Sequence, residues 1–258
     1  MAISLLKGDC LDVMRTLPDK SISCFVCDLP YGCLEPQRIK TAEAMKKTKQ
    51  MKVSGCAWDI KLDLNLFWEQ VKRLAKDDHT PVLMFCNTKF GADLINSNPK
   101  WFRYDLVWNK MRGVSFLSAN KMPMKSHELI YVFSKKGAYY KRIDIEGEYN
   151  AQTHKGNGEE YGGIYGKKKD VSHHTTATHR CPLSIVNVQT RVGKSNHPTS
   201  KPAELYKWLL ERYCPEGGTM LDPTAGSFNS CFTAKEMGLK AIGIEKDSGF
   251  FWKAVSRL

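Results

Sequence analysis

The stretch Thr219 to Glu245 constrains the fold more than any other part of this chain. Thr219-Met220-Leu221-Asp222 has strand length, Pro223 to Ser227 is a loop of small residues, and Asn229 to Met237 reads as a helix closed by Gly238. Lys240-Ala241-Ile242-Gly243-Ile244-Glu245 is a second strand. Strand, helix and strand in so short a span make a βαβ unit, with a parallel pair and a ligand site outside the strands' carboxyl ends. Glu245 follows Asp222 by 23 residues, close to the ~20-residue spacing that sets a carboxylate on a ribose hydroxyl in nucleoside-binding units. The chain has no Gly-x-Gly-x-x-Gly and no Gly-Lys-Ser/Thr, so a nucleoside without phosphates fits better than a pyrophosphate or triphosphate.

The same alternation runs through the earlier part of the chain. Ile22 to Cys27, Pro81 to Cys86, Tyr104 to Trp108 and Leu129 to Phe133 are apolar runs of strand length. Between the first two, Leu64, Phe67, Trp68, Val71 and Leu74 recur at helical spacing behind Asp63, a suitable N-cap. These features predict an α/β fold with a largely parallel, Rossmann-like sheet flanked by helices. At 258 residues and 42% hydrophobic content the chain can bury one sizeable core with an embedded lobe.

Where the first strand ends stands Asp28-Leu29-Pro30-Tyr31. Pro30 has no N–H and pushes Leu29 into extended geometry before the chain turns at Gly32, so the turn offers a carboxylate, a free carbonyl and an aromatic face together. Such a cluster suits an exocyclic amine held by hydrogen bonds while its ring stacks on Tyr31. Taken alone, it is equally a surface turn after a strand.

Lys and Arg number 39 against 27 Asp and Glu, a net charge of +12, which points to a polyanionic partner, nucleic acid foremost. Two segments break the strand–helix alternation. Cys33 to Ala57 reads as a basic loop carrying Arg38, Lys40, Lys46, Lys47, Lys49 and Lys52; its plainer reading is a solvated helix. Gly137 to Lys194 reads as an inserted lobe, with five glycines from Gly156 to Gly166, the run Lys167-Lys168-Lys169, and His154, His173, His174 and His179. The histidine spacing near Cys181 fits no standard ligand pattern, so nucleic-acid contact is expected there and no metal. The expected organisation is a core of residues 1–136 and 195–258 interrupted by a lobe at 137–194.

The nine cysteines are an odd count, the chain opens Met1-Ala2-Ile3-Ser4 without a signal peptide, and no apolar run approaches the ~20 residues that span a bilayer. A cytoplasmic protein without membrane contact is expected. Cys24 and Cys27 have redox-pair spacing, but they lie inside an apolar run with no helix start to activate a thiolate, and are read as core.

His197-Pro198-Thr199-Ser200-Lys201-Pro202 precedes a helix from Ala203 to Tyr213, with Pro202 in its first turn and Lys201 and the hydroxyls able to hold a carboxylate beside the helix start. Together these segments carry a family likeness. Asp28-Leu29-Pro30-Tyr31 resembles motif IV of amino-group DNA methyltransferases, and Leu221 to Ser227 with Gly243-Ile244-Glu245 resembles their S-adenosylmethionine motifs I and II. His197 to Pro202 is similar to motif X of the β class, where the target-amine motif precedes the cofactor motif, as it does here. Gly8-Asp9-Cys10 resembles the family's element at the cofactor adenine, and Trp108-Asn109-Lys110 and His127-Glu128 are smaller echoes. Leu29 stands where the family has a first proline, Phe228-Asn229 where it has Gly-Thr, and Ser200 where it has glutamine.

The resemblance implies a seven-stranded methyltransferase sheet with a small target-recognition lobe, S-adenosylmethionine as cofactor and double-stranded DNA as partner. It gives the catalytic positions as Asp28, Leu29, Pro30 and Tyr31: the Asp28 carboxylate and Pro30 carbonyl accept from the amine, and Tyr31 stacks on a flipped base. On the cofactor it places Glu245 at the ribose, Asp9 with Cys10 at the adenine, and Asp222, Pro223, Thr224, Ala225, Gly226 and Ser227 at the methionine part. Lys201 or Thr199 would hold the cofactor carboxylate, with His197, Ser200 and Asp28 beside it. The basic residues of both irregular segments would contact DNA. Asp at the first motif IV position leans toward adenine N6 over cytosine N4; the absence of a Pro-Cys pair argues against cytosine C5. Relatives using a similar tetrapeptide on RNA or on a protein amide usually place the cofactor motif first, and an inactive nucleic-acid-binding module is the reading from another class. Many β-class relatives form homodimers; no feature here requires one.

Overall fold

A computed structural model describes residues 2–32, 61–114, 116–146, 179–190 and 200–258. Its main element is an eight-stranded sheet. In chain order the strands are β1 (Ile3–Lys7), β2 (Cys24–Cys27), β3 (Val82–Cys86), β4 (Phe102–Val114), β5 (Lys125–Phe133), β8 (Ile185–Asn187), β9 (Thr219–Asp222) and β10 (Lys240–Glu245). In space the order is β1-β10-β9-β2-β3-β5-β4-β8, and among the described residues only β5 runs antiparallel to its neighbours in this sheet. The helices are α1 (Cys10–Thr16), α2 (Leu64–Leu74), α3 (Thr88–Ser97), α4 (Ala203–Tyr213), α5 (Asn229–Glu236) and α6 (Ser248–Val255).

Every residue of β2 and β3 is buried, as a strand covered on both faces requires. One apolar cluster packs α1, α2 and α3 on one face, with Met14, Phe67, Trp68, Phe90 and Leu94 prominent. The other packs α4, α5 and α6 on the opposite face through Leu205, Leu209, Cys231, Ala234 and Phe251. Cys24 and Cys27 are fully buried among these residues. Asp63 caps α2 by accepting from Asn65 N at 2.9 Å and Leu66 N at 3.2 Å, and Gly238 turns left-handed past α5 at φ +80°.

Among the described residues the sheet has one strand more than the seven expected. β8 adds to the outer edge of β4, where Val107 N donates to the Ser184 carbonyl at 2.9 Å. An exposed edge strand offers unpaired backbone groups, and three residues suffice to cover part of one. Pro202 is the N-cap of α4 rather than a first-turn residue: its φ of −69° suits a helix, but its ψ of 145° is extended. The short β1, α1, α3 and α6 have no counterpart among the expected elements.

Chain contacts divide into two compact units, Met1–Lys141 with Ser184–Leu258, and Arg142–Leu183. The described part of the second unit contains a two-stranded pair, β6 (Ile145–Glu146) against β7 (His179–Arg180). Among the described residues no helix is long and apolar enough to cross a membrane.

Candidate active site

The turn after β2 is held from both sides of the chain. Leu29 is 1% exposed and joins the core beneath the sheet, so its side chain anchors the turn while Asp28 and Tyr31 stay partly accessible. Gly32 follows at φ +63°, a left-handed conformation that glycine adopts without strain. Thr224 Oγ1 donates to the Asp28 carbonyl at 3.0 Å, joining this turn to the loop after β9.

Both Asp28 oxygens have partners. The Tyr31 hydroxyl donates to Oδ1 at 2.9 Å, and Lys201 Nζ donates to Oδ2 at 2.5 Å. Lys201 is 6% exposed; its ammonium also faces Glu128 Oε2 at 3.5 Å and lies 5.0 Å from the Phe85 ring centre. Lys110 pairs with Glu128 Oε1 and sits over the Trp108 ring. Two ammoniums and two carboxylates thus alternate along a partly buried chain ending at Asp28. Burial lowers the Lys201 pKa, but Asp28 and Glu128 outweigh it and hold it above the ordinary lysine value. Burial raises that of Glu128, and Lys201 and Lys110 bring it below the ordinary carboxyl value.

Tyr31 stacks on Phe90 with ring centres 5.0 Å apart and planes 27° from parallel. Burial first, then the Asp28 charge, pushes its phenol far above the ordinary value, so it remains a neutral donor. Beside this pair opens a cavity of about 270 Å³, lined by Tyr31, Gly32, Lys61, Asn87, Lys89, Phe90 and Asp93.

The loop from β9 to α5 forms the second half of the site. Asp222 is buried and serves the loop itself: Thr224 N donates to Oδ1 at 3.1 Å and Ser230 Oγ to Oδ2 at 2.5 Å. Burial pushes its pKa up to about 7 against these donors, with Asp28 and Glu245 adding to the rise. Gly226 at φ +53° and Phe228 at φ +57° bend the loop. Glu245 Oε2 accepts from Gly226 N at 2.8 Å and Oε1 from Asp247 N at 2.6 Å. A carboxylate has about four lone-pair sites, so Glu245 retains capacity for a ribose hydroxyl. Asp9 caps α1 through Leu11 N at 3.0 Å and meets Lys246 Nζ at 3.1 Å. Gly8 N donates to the Glu245 carbonyl at 3.0 Å, bringing the two acids to neighbouring strand ends. Buried Cys10 has its thiol pushed up to about 12 by burial and by Asp9. Glu245, Asp9 and the backbone of Pro223 to Ser227 thus lie along one edge, whose acceptors and amides are of the kind an adenosyl group would take.

The structure therefore brings Asp28, Tyr31, Lys201 and Thr224 together and links them to Asp222, Ser227 and Ser200. Ser200 Oγ lies 3.1 Å from Ser227 Oγ and accepts from Asn229 Nδ2 at 2.7 Å. The Lys201 ammonium that the sequence offers to a cofactor carboxylate lies on Asp28 instead. Phe228 points its ring away from the loop into the core, against Phe251 at 6.2 Å and over Gly243. Arg38, Lys40, Lys46, Lys47, Lys49, Lys52, Lys167, Lys168, Lys169, His197 and Thr199 lie outside the described residues. Lys110, Glu128, Phe90 and Asn229 were not among the expected site residues. Trp108-Asn109-Lys110 and His127-Glu128 signalled the first two, which β4–β5 pairing brings together through Trp108 opposite Glu128.

Comparison with known proteins gives a consistent picture. A family model for N6/N4 methyltransferases, described as DNA methylase, matches residues 22–255. The type II methyltransferase M.HinfI of Haemophilus influenzae is 25% identical over 271 aligned residues, covering 99% of this chain and 68% of that protein. The solved M1.HpyAVI–SAM complex superposes with a TM-score of 0.60 at 15% identity, covering 99% of this chain and all of the other. PvuII DNA methyltransferase, cytosine-N4-specific, gives 0.65 at 13% identity, covering 100% of this chain and 86% of the other. With the model match spanning the site from Asp28 to Glu245, the chain belongs to the N6/N4 family of DNA methylases, enzymes that use S-adenosylmethionine to methylate amino groups in DNA.

Proposed function

We propose that this protein methylates the N6 amino group of an adenine flipped out of duplex DNA. The observation that carries the reading is the direct tie between the two half-sites, Thr224 Oγ1 on the Asp28 carbonyl at 3.0 Å. It sets the amine-binding turn against the cofactor loop, and catalysis here is mainly alignment of an amine with a methyl group. Bound S-adenosylmethionine supplies an electrophilic methyl on a sulfonium. Asp28 accepts one amine hydrogen and the Pro30 carbonyl accepts the other, which turns the nitrogen lone pair toward the methyl. Tyr31 gives the base a stacking face while Phe90 backs the ring. After transfer the surplus proton on the methylated nitrogen passes to solvent water, so Asp28 orients the amine without having to act as the final base. Glu245 takes the ribose and Asp9 the adenine edge. Lys201 holds Asp28 in position and leaves the cofactor carboxylate to neighbouring hydroxyls such as Ser200.

Asp at position 28 favours adenine; cytosine N4 is the second reading, since the family more often has serine at that position for cytosine. Sequence reading is assigned to the lobe at 137–194, whose lysines suit phosphate contacts. Tritiated methyl transfer to DNA tests the function, and sequencing for modified bases in DNA from expressing cells identifies the base. Asp28→Ala should abolish transfer while S-adenosylmethionine binding by calorimetry persists. Retained turnover in that variant removes Asp28 from its role, and N4-methylcytosine as the product overturns the adenine reading.

A further inference from the structure

The β4–β5 hairpin has a tip that the site above does not use. β5 pairs with β3 only as far as Leu129, which faces Cys86 at the end of β3. From Glu128 back to Lys125 it continues past that edge, about 13 Å at the usual strand rise, on the same side of the sheet as Asp28. The tip is apolar and exposed: Phe116 is 72% accessible, Leu117 78% and Met111 61%, with Met122 and Met124 beside them. Single exposed apolar residues are ordinary, but five together on one projection mark an interaction surface. From Lys110 to Ser126 there is no acidic residue, and Arg112, Lys121 and Lys125 are exposed with no ion pair among the described residues. A bulge between Asn109 and Val114 holds Met111 left-handed at φ +53°, a strained conformation braced by Asn109 Oδ1, which accepts from Met111 N at 3.0 Å. At its base the hairpin is joined to Asp28 through Lys110, Glu128 and Lys201.

We propose that this tip is a DNA wedge: Phe116 and Leu117 enter the duplex where the target base leaves it, while Arg112, Lys121 and Lys125 contact the flanking phosphates. Apolar side chains inserted at a base step fill the unstacked gap, and the surrounding cations select a polyanion over a second copy of this basic chain. The inference rests on the methyltransferase reading and names the surface that makes a duplex base accessible to its site.

The test uses the full chain with Phe116→Ser/Leu117→Ser and, separately, Arg112→Ala/Lys121→Ala. Each is checked by thermal melting and by S-adenosylmethionine binding. Methyl transfer to unmodified genomic DNA is compared with transfer to the same DNA after heat denaturation, and mobility shifts compare an intact duplex with one carrying an abasic site. The apolar variant should lose roughly tenfold to hundredfold of its rate on duplex, far less on denatured DNA, and the wild-type preference for the abasic duplex. The charge variant should weaken binding to both and lower the salt slope by about two. Equal loss on both DNA forms, or an unchanged abasic preference, overturns the wedge. So does a wild-type dimer that the apolar variant converts to monomer, because the tip is then a self-association surface. If the wild type methylates no DNA, the enzymatic reading fails, and the abasic preference alone decides the wedge.

Discussion

Replacing Lys201 with methionine keeps most of the side-chain length and removes the charge. Asp28 Oδ2 loses an ammonium 2.5 Å away, and Glu128 Oε2 loses one at 3.5 Å. Removing one partner of a buried pair costs about 3–5 kcal/mol. The lower end applies, because Asp28 keeps the Tyr31 hydroxyl with 25% of its side chain in water, and Glu128 keeps Lys110. A loss of about 3 kcal/mol, at about 2–4 °C per kcal/mol for a chain near this size, lowers the melting temperature by roughly 6–12 °C. Its pH dependence is diagnostic. Lys201 and Lys110 hold the Glu128 carboxyl below its ordinary 4.5 against the opposing effect of burial. An acid lowered in the folded state stabilises above its unfolded value and loses that contribution as pH falls through the folded value. The gap between wild type and Lys201→Met should therefore be complete at neutral pH and shrink below pH 4.5. Melts followed by circular dichroism at neutral and mildly acidic pH read both quantities. A shift under about 2 °C, or a gap that does not change with pH, refutes the claim that the Lys201 charge stabilises this turn.

Asp222 titrates in the opposite sense. With its folded pKa raised from 3.8 to about 7, its stabilising contribution is complete below 3.8 and lost as pH rises through about 7. The urea midpoint should fall from mildly acidic to mildly alkaline pH, and Asp222→Asn should flatten that trend; equal slopes in both proteins would remove Asp222 as the cause. Gly243→Ala would place a Cβ 2.6 Å from the Phe228 ring and 2.6 Å from Cys231 Sγ, an overpacking worth about 1–3 kcal/mol. Phe228→Leu should relieve part of that cost when combined with it, and strictly additive losses in chemical denaturation would show that the two positions do not touch.

What the sequence makes legible is what depends on near neighbours. α2 is readable because Asp63 and five apolar residues at helical spacing act within one segment, and the β9–α5–β10 unit because its strands, loop and Gly238 are contiguous. The Asp28–Tyr31 turn is readable for the same reason, since Pro30 and Gly32 shape it from within. Other features depend on partners far along the chain. Lys201 reaches Asp28 across 173 positions, and no local pattern separates an ammonium meant for a ligand from one meant for a buried carboxylate. Phe228 enters the core because Gly243 leaves room for its ring, a complementarity visible only once the two segments pack. β8 is three residues long and exists as a strand only because β4 has an edge to cover. The strands β4 and β5 extend past their apolar centres because the hairpin pairs with itself beyond the core.

The pairing of β1 with β10, sealed by Gly8 N on the Glu245 carbonyl, has a consequence for assembly. Ile3 meets Ala241 across more than 230 positions, so this edge closes only after nearly all the intervening chain has been synthesised. Contacts of such long sequence separation form slowly, because loop closure must precede any gain from them. β2 and β3 can pair earlier, while the seam with Asp9 on one side and Glu245 on the other is completed last, and the Asp28 turn gains Lys201 and Thr224 only as that late part of the chain arrives. Until then that edge of β1 keeps its backbone groups unpaired, and any ligand that contacts both sides of the seam would favour its closed form by mass action.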